Sequence, residues 1–302
     1  MRRVLACIIA WVPLLSGCLL TEAETENTSS LAEELTSAHP DAESASVTAT
    51  RDDNLAMGNP SGATTSVSNP NNYLMVKPQY TLSYNNSRGS ANWVSWHLST
   101  AWKGSAPRQS TFTTDPLLPS GFVKAASSWY TSTGFDRGHI CPSEDRDGSV
   151  DDNKATFMMT NVMPQAPICN QQTWRSLEDY ARTLITVGNE VYLIAGPGGI
   201  GGTGTSGTAN TIHGGDVTVP SFVWKVLVVL PIGSDDVNRV TTSTRVIAVK
   251  MPNTQTVNAH SWDFYRVSVD SLEALTGFDF LSNVSTSVQS VIESTVDTGP
   301  TN

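Results

Sequence analysis

Between Tyr80 and Leu98 apolar and polar side chains alternate. Tyr80-Thr-Leu-Ser-Tyr84 and Asn92-Trp-Val-Ser-Trp96-His-Leu98 each sort their residues onto two faces, as half-buried antiparallel strands do. Asn85 to Gly89 between them carries hairpin-loop chemistry, and Tyr73 to Val76 predicts a shorter strand ahead of them. The apolar run Val191 to Ala195 predicts a buried strand, and Val217 to Leu230 and Thr244 to Met251, the second closed by Pro252, predict two more. The stretch from Asn170 to Arg182 predicts a helix, and Val269 to Leu275 and Val284 to Glu293 predict two short ones near the end. Asp145 to Asn153 predicts a solvated acidic loop without EF-hand spacing. Gly202 to Gly207 is formally G-x-G-x-x-G, but no helix or acidic partner follows, so a flexible loop is expected rather than a nucleotide site. The pattern predicts one α+β domain built on a mainly antiparallel sheet with flanking helices, spanning residues 58–293 and followed by a flexible C-terminus at 294–302.

The amino terminus follows different rules. Arg2 and Arg3 precede an apolar run from Val4 to Leu15 that is too short for a permanent membrane span. The run ends in Leu15-Ser16-Gly17-Cys18, which is similar to a bacterial lipobox. Residues 1–17 are therefore expected to be a signal peptide, and Cys18 a lipidated first residue that anchors an exported envelope lipoprotein on its periplasmic or cell-surface face. Residues 18–57 are acidic and nearly free of aromatics, the composition of a disordered tether.

That tether distorts the charge balance. The chain carries a net charge of −10, but three of its 18 basic and nine of its 28 acidic residues lie in the first 60, which leaves only −4 for the rest. No broad basic face is visible, so any grip on phosphate must be local. Removing Cys7 with the signal and assigning Cys18 to the lipid leaves Cys141 and Cys169. In an exported protein these two are expected to pair as a disulfide, the alternative being two buried free thiols.

The candidate chemistry sits in two stretches. Asp136-Arg137-Gly138-His139 groups an imidazole with a cation and an anion, a setting that suits His139 to act as a general base near neutral pH. Asp136 and Arg137 can fix the ring or bind phosphate. Asn170 stands at the predicted helix start, where it either caps the helix or offers an amide oxygen to Mg²⁺. Glu178 and Arg182 share its helix row and form either an exposed ion pair or a contact to metal waters and phosphate. His39, His97, His213 and His260 lack comparable company and read as structural.

With Thr160-Asn161-Val-Met-Pro164-Gln165 and Asn170-Gln-Gln-Thr-Trp174-x-x-Leu177-Glu178-x-x-x-Arg182 added, the pattern resembles the DNA/RNA non-specific endonucleases of the ββα-metal, or His-Me finger, class. Asn92-Trp93-Val94, Arg108 with Asp115-Pro116, Gly196-Pro197 and Leu275-Thr276-Gly277 extend the likeness over roughly residues 58 to 285. The resemblance implies a metal finger packed on the sheet, with DNA and RNA as substrates and 5′-phosphate products. It implies His139 as general base and Asn170 as the protein's direct ligand to Mg²⁺, with Mn²⁺ able to substitute. Glu178 would hold metal-bound water, Asn161 would support the site, and Arg108 and Arg182 would steady phosphates. Two other classes stay open at this stage: a non-catalytic envelope protein that binds nucleic acid, and a phosphodiesterase restricted to small substrates.

Overall fold

The computed structural model describes residues 48–301, so the expected signal peptide, the expected lipidation site Cys18, His39 and most of the expected tether lie outside the described residues. Thirteen strands are found among them. β1 (Tyr73–Val76), β2 (Thr81–Asn85) and β3 (Ser90–Leu98) open a seven-stranded sheet that continues through β6 (Asn189–Gly198), β11 (Phe222–Pro231), β12 (Arg245–Pro252) and β13 (Arg266–Val267), in that order. Every registered pair in it is antiparallel.

Strand β11 shows why both faces are covered. Val223 and Leu227 point into a core shared with helix α2 (Arg175–Thr186), while Trp224, Val226 and Val228 point into a second core on the other face. That far face is closed by α4 (Val269–Thr276) and α5 (Thr286–Ile292). A strand buried on both sides reads as an apolar run, broken in this one by Lys225. Helix α2 buries Leu177, Tyr180, Ala181 and Ile185, a spacing that makes one apolar stripe against the sheet.

A smaller unit rests on the same face as α2. β4 (Asp136–His139) pairs with β5 (Val162–Gln165), Gly138 facing Met163 and His139 facing Val162. A Cβ at position 138 would collide with the Gln165 side chain, so the glycine between Arg137 and His139 is what lets the two strands close. β5 leads into a π-helical turn, Cys169–Trp174, that runs directly into α2. Two strands followed by a helix form the expected finger.

Several expectations need correction. Residues 48–57, assigned to the tether, are packed: Asn54 is buried, accepts from the His97 amide at 3.0 Å and takes the Ser95 hydroxyl on its carbonyl at 2.6 Å. Of the segment 294–302, expected to be flexible, the described part, 294–301, is held because Asp297 pairs with Arg245 at 2.8 Å and Arg266 at 2.9 Å, and Pro300 accepts the Tyr180 hydroxyl. The acidic stretch 145–153 is solvated only in its middle, at Gly148 to Asp151. Asp145 and Asp152 are buried, and Ser149 caps helix α1 (Val150–Thr156) through the Asp152 amide. The glycine-rich segment forms two short hairpins, β7 (Gly202–Gly204) with β8 (Gly207–Ala209), and β9 (Thr211–Ile212) with β10 (Val217–Thr218). Nor is the disulfide formed: Cys141 and Cys169 are both free and buried in the apolar core. Cys169 takes a hydrogen bond from the Gln165 amide at 3.6 Å, and burial pushes both thiols up to about 12, where they are unreactive.

Candidate active site

A cavity of about 580 Å³ opens between the finger and the start of α2, large enough for a nucleotide unit. His139, Asp136, Arg137 and Arg108 line it from one side, and Asn170, Glu178 and Arg182 from the other. The two predicted stretches, with 30 residues between His139 and Asn170, thus meet at one site.

His139 ends β4 with its ring wedged between Phe112 at 5.0 Å and Phe157 at 4.7 Å, centroid to centroid. Its Nε2 is buried without a hydrogen-bond partner. Burial, reinforced by the Arg108 guanidinium, pushes the imidazole down to about 3, so the ring is neutral and keeps a free lone pair at physiological pH. Arg108 is exposed, lies over Phe157 at 5.3 Å and donates to the Ser143 hydroxyl. The Arg137 guanidinium is spent on the Ser127 carbonyl at 2.7 and 3.0 Å. Its role is therefore to fix the loop behind the site.

Asn170 does not cap a helix. It lies within the π-helical turn, where widening the backbone ring re-aims a side chain, and its own amide is already bonded to Ala166 at 2.9 Å. Its side-chain Nδ2 donates to Asp136 Oδ2 at 2.9 Å, and Gln171 donates to the same oxygen at 2.8 Å. With its nitrogen tied to Asp136, Asn170 leaves its amide oxygen without a partner among the described residues. One neutral oxygen beside two carboxylates, Asp136 and Glu178, is a hard oxygen donor set, and it fits a largely hydrated Mg²⁺.

Glu178 is not paired with Arg182. Its partner is Lys225 at 3.4 Å, which the sequence reading missed. Lys225 is fully buried in β11, and its ammonium sits 4.1 Å from the Trp174 ring and 5.5 Å from Trp96. Burial pushes Glu178 up and Lys225 down, and each pulls the other back toward its charged form. Arg182 is gripped instead by Asp145 at 2.9 Å, Glu144 at 3.0 Å and Asp179. Burial opposes its charge, but Asp145 and Glu178 outweigh that and hold it firmly protonated. Trp96 Nε1 completes the network by donating to Asp145 at 2.9 Å. One signal for Lys225 was available: a single cation inside an otherwise apolar ten-residue strand must have a buried anionic partner. Arg175, another missed residue, also lines the cavity, but as one charge on an exposed helix face it left no mark in the pattern.

Asn161 is fully buried and does not line the cavity. Its amide clamps the chain just after His139: Oδ1 accepts from the Cys141 amide at 2.9 Å, and Nδ2 donates to the Cys141 and Thr156 carbonyls, each at 2.9 Å. It is a positioning residue. His97, also buried, meets Glu190 at 3.2 Å. The Asp52 amide donates to its Nδ1 at 3.3 Å, which leaves Nε2 to carry the proton, and Glu190 is further bonded by Arg239. With both ring nitrogens and the carboxylate engaged, Asp52, His97 and Glu190 read as a structural network and not as a metal centre.

The model of the DNA/RNA non-specific endonuclease family matches residues 58–287. A nuclease from a Nostoc species is 51% identical over 243 residues, covering 80% of this chain and 85% of its own. The Serratia marcescens nuclease is 28% identical over 80% of this chain and 85% of its own, and human mitochondrial endonuclease G is 28% identical over 70% of each. The fold is similar to the crystal structure of the EndoG/EndoGI complex, with a TM-score of 0.63 at 23% identity over 77% of this chain and 91% of that one. The chain is a phosphodiester-cleaving nuclease that belongs to the DNA/RNA non-specific endonuclease family.

Proposed function

We propose that this chain is a Mg²⁺-dependent endonuclease that cuts DNA and RNA with little regard for sugar or sequence. The observation that carries this reading is the convergence of an unpaired imidazole, His139, and an unpaired amide oxygen, Asn170, on one cavity flanked by arginines. Bound at Asn170, Mg²⁺ would place positive charge beside the phosphoryl and leaving oxygens. Glu178 would orient water at that site, and Lys225 pulls its carboxylate toward the charged form against burial.

His139 takes the proton from the attacking water. A ring held near 3 is a weak base in the empty site, but an anionic phosphate beside Arg108 offsets one of the two causes of that depression. Substrate binding thereby raises the basicity of the ring when it is needed. Arg108 and Arg175 offer charge to the phosphates, while Arg182 is already neutralised by three carboxylates and orders Asp145 and Glu144 around the site. We further propose that the protein is exported and anchored through Cys18, a reading that rests on the amino-terminal sequence alone. Purified protein incubated with plasmid DNA and with structured RNA, in Mg²⁺ and in EDTA, tests the activity. Cleavage of both, ends that ligase accepts as 5′-phosphates, and loss in EDTA are expected. Cutting of only one nucleic acid, or cutting in EDTA, would overturn the corresponding part.

A further inference from the structure

On the far face of the sheet three carboxylates converge. Asp270 and Glu273 stand on the first turns of α4, and Glu293 caps the end of α5; one oxygen of each lies within 4.8 Å of the others. The backbones are joined there as well, the Asp270 amide donating to the Glu293 carbonyl at 3.0 Å. Glu293 is only 6% exposed, and its Oε1 is buried with no hydrogen-bond partner. Glu273 accepts the Phe280 amide at 2.8 Å, and no lysine, arginine or histidine among the described residues forms an ion pair with any of the three.

A buried, unpartnered carboxylate oxygen facing two more carboxylates is an arrangement that costs free energy unless something positive occupies the gap. Burial and the charges of Glu273, Asp270 and Asp279 push Glu293 up to about 7, so above neutrality the protein must either keep a proton there or accept a cation. The geometry favours the cation. Two helices supply three hard oxygens, while Asp270 faces solvent and leaves room for water ligands. Calcium tolerates such a partly hydrated, irregular shell, and strictly octahedral magnesium suits it less well.

We propose that Asp270, Glu273 and Glu293 form a structural calcium site, separate from the catalytic centre, that locks α5 and the following C-terminal segment onto α4. The test uses the whole protein carrying Asn170→Ala, which removes the amide ligand of the catalytic cavity. Calorimetric titration of the EDTA-stripped protein with CaCl₂ should show one bound ion per chain and a rise in Tm. Adding Glu293→Gln or Glu273→Gln should weaken that binding on the order of 10-fold and erase the rise, because ligand charge sets affinity at such sites. In the background with Asn170 intact, both substitutions should leave Mg²⁺-dependent plasmid cleavage unchanged. No calcium binding by the Asn170→Ala protein, equal binding after either glutamate substitution, or a Tm that responds to pH but not to calcium would each overturn the proposal.

Discussion

Replacing Lys225 with methionine tests the least expected part of the site. The ammonium is fully buried, 3.4 Å from Glu178 and pressed against Trp174, so the change leaves a carboxylate at 12% exposure without its counter-ion. Breaking a buried ion pair from one side costs about 3–5 kcal/mol. For a domain of this size each kcal/mol is worth about 2–4 °C. Lys225→Met should therefore lower Tm by roughly 6–20 °C. The surviving Glu178, already pushed up by burial, loses the stronger of the two cations that pull it down, Arg182 being the other, and shifts further toward its protonated form. Nuclease activity should then fall with stability. Pairing it with Glu178→Gln removes the buried charge, so the double variant should recover most of the lost stability while activity stays low. Urea midpoints and plasmid cleavage on the four members of this cycle decide the matter. If Lys225→Met alone shifts stability by less than about 0.5 kcal/mol, or the double variant is less stable than the single, the coupled-pair argument is wrong.

Three further outcomes follow from the same geometry. Asn161→Ala strands two carbonyls and an amide behind His139 and should cost about 2–4 kcal/mol by urea unfolding; a loss under 1 kcal/mol would mean that the clamp is idle. Asp136→Asn removes the charge that ties down Asn170 and should raise the Mg²⁺ concentration for half-maximal cleavage by about 10–100-fold, with an unchanged midpoint arguing against the tie. His139 is depressed to about 3 in the fold against about 6.5 when unfolded, so the stability it contributes is complete above pH ~6.5 and is lost as pH falls toward 3. His139→Gln should flatten that acid limb in urea titrations at several pH values; an identical slope in both proteins would refute the burial argument.

The sheet and the finger were legible because local pattern and final burial agree. Alternation marked β2 and β3, and apolar stretches marked β6 and most of β11. Illegible features depended on contacts distant in sequence. Acidic residues at 145 and 152 look solvated in isolation, yet Arg182 arrives 37 positions later to bury the first, and Arg51 pairs with the second at 3.1 Å. Asp297 is ordered only because Arg245 and Arg266 lie on the neighbouring sheet edge. The sequence left Asn170 between cap and ligand; a π-helical turn carries the backbone past it into α2, so the residue is no cap and its side chain is available as a ligand. Two cysteines left over in a chain expected to be exported suggested a disulfide, but both are free thiols buried in a shared apolar core.

The central claim is that His139 and Asn170 act on one phosphate from two sides of a single cavity. A Mg²⁺ titration of plasmid cleavage by the wild type, His139→Ala and Asn170→Ala tests it most directly. The account predicts a rate about 10²–10⁴-fold lower at an unchanged Mg²⁺ midpoint for His139→Ala, since only the base is lost, and a midpoint moved to higher Mg²⁺ for Asn170→Ala. Cleavage by His139→Ala within tenfold of the wild type, or an Asn170→Ala protein with the wild-type midpoint, would contradict it.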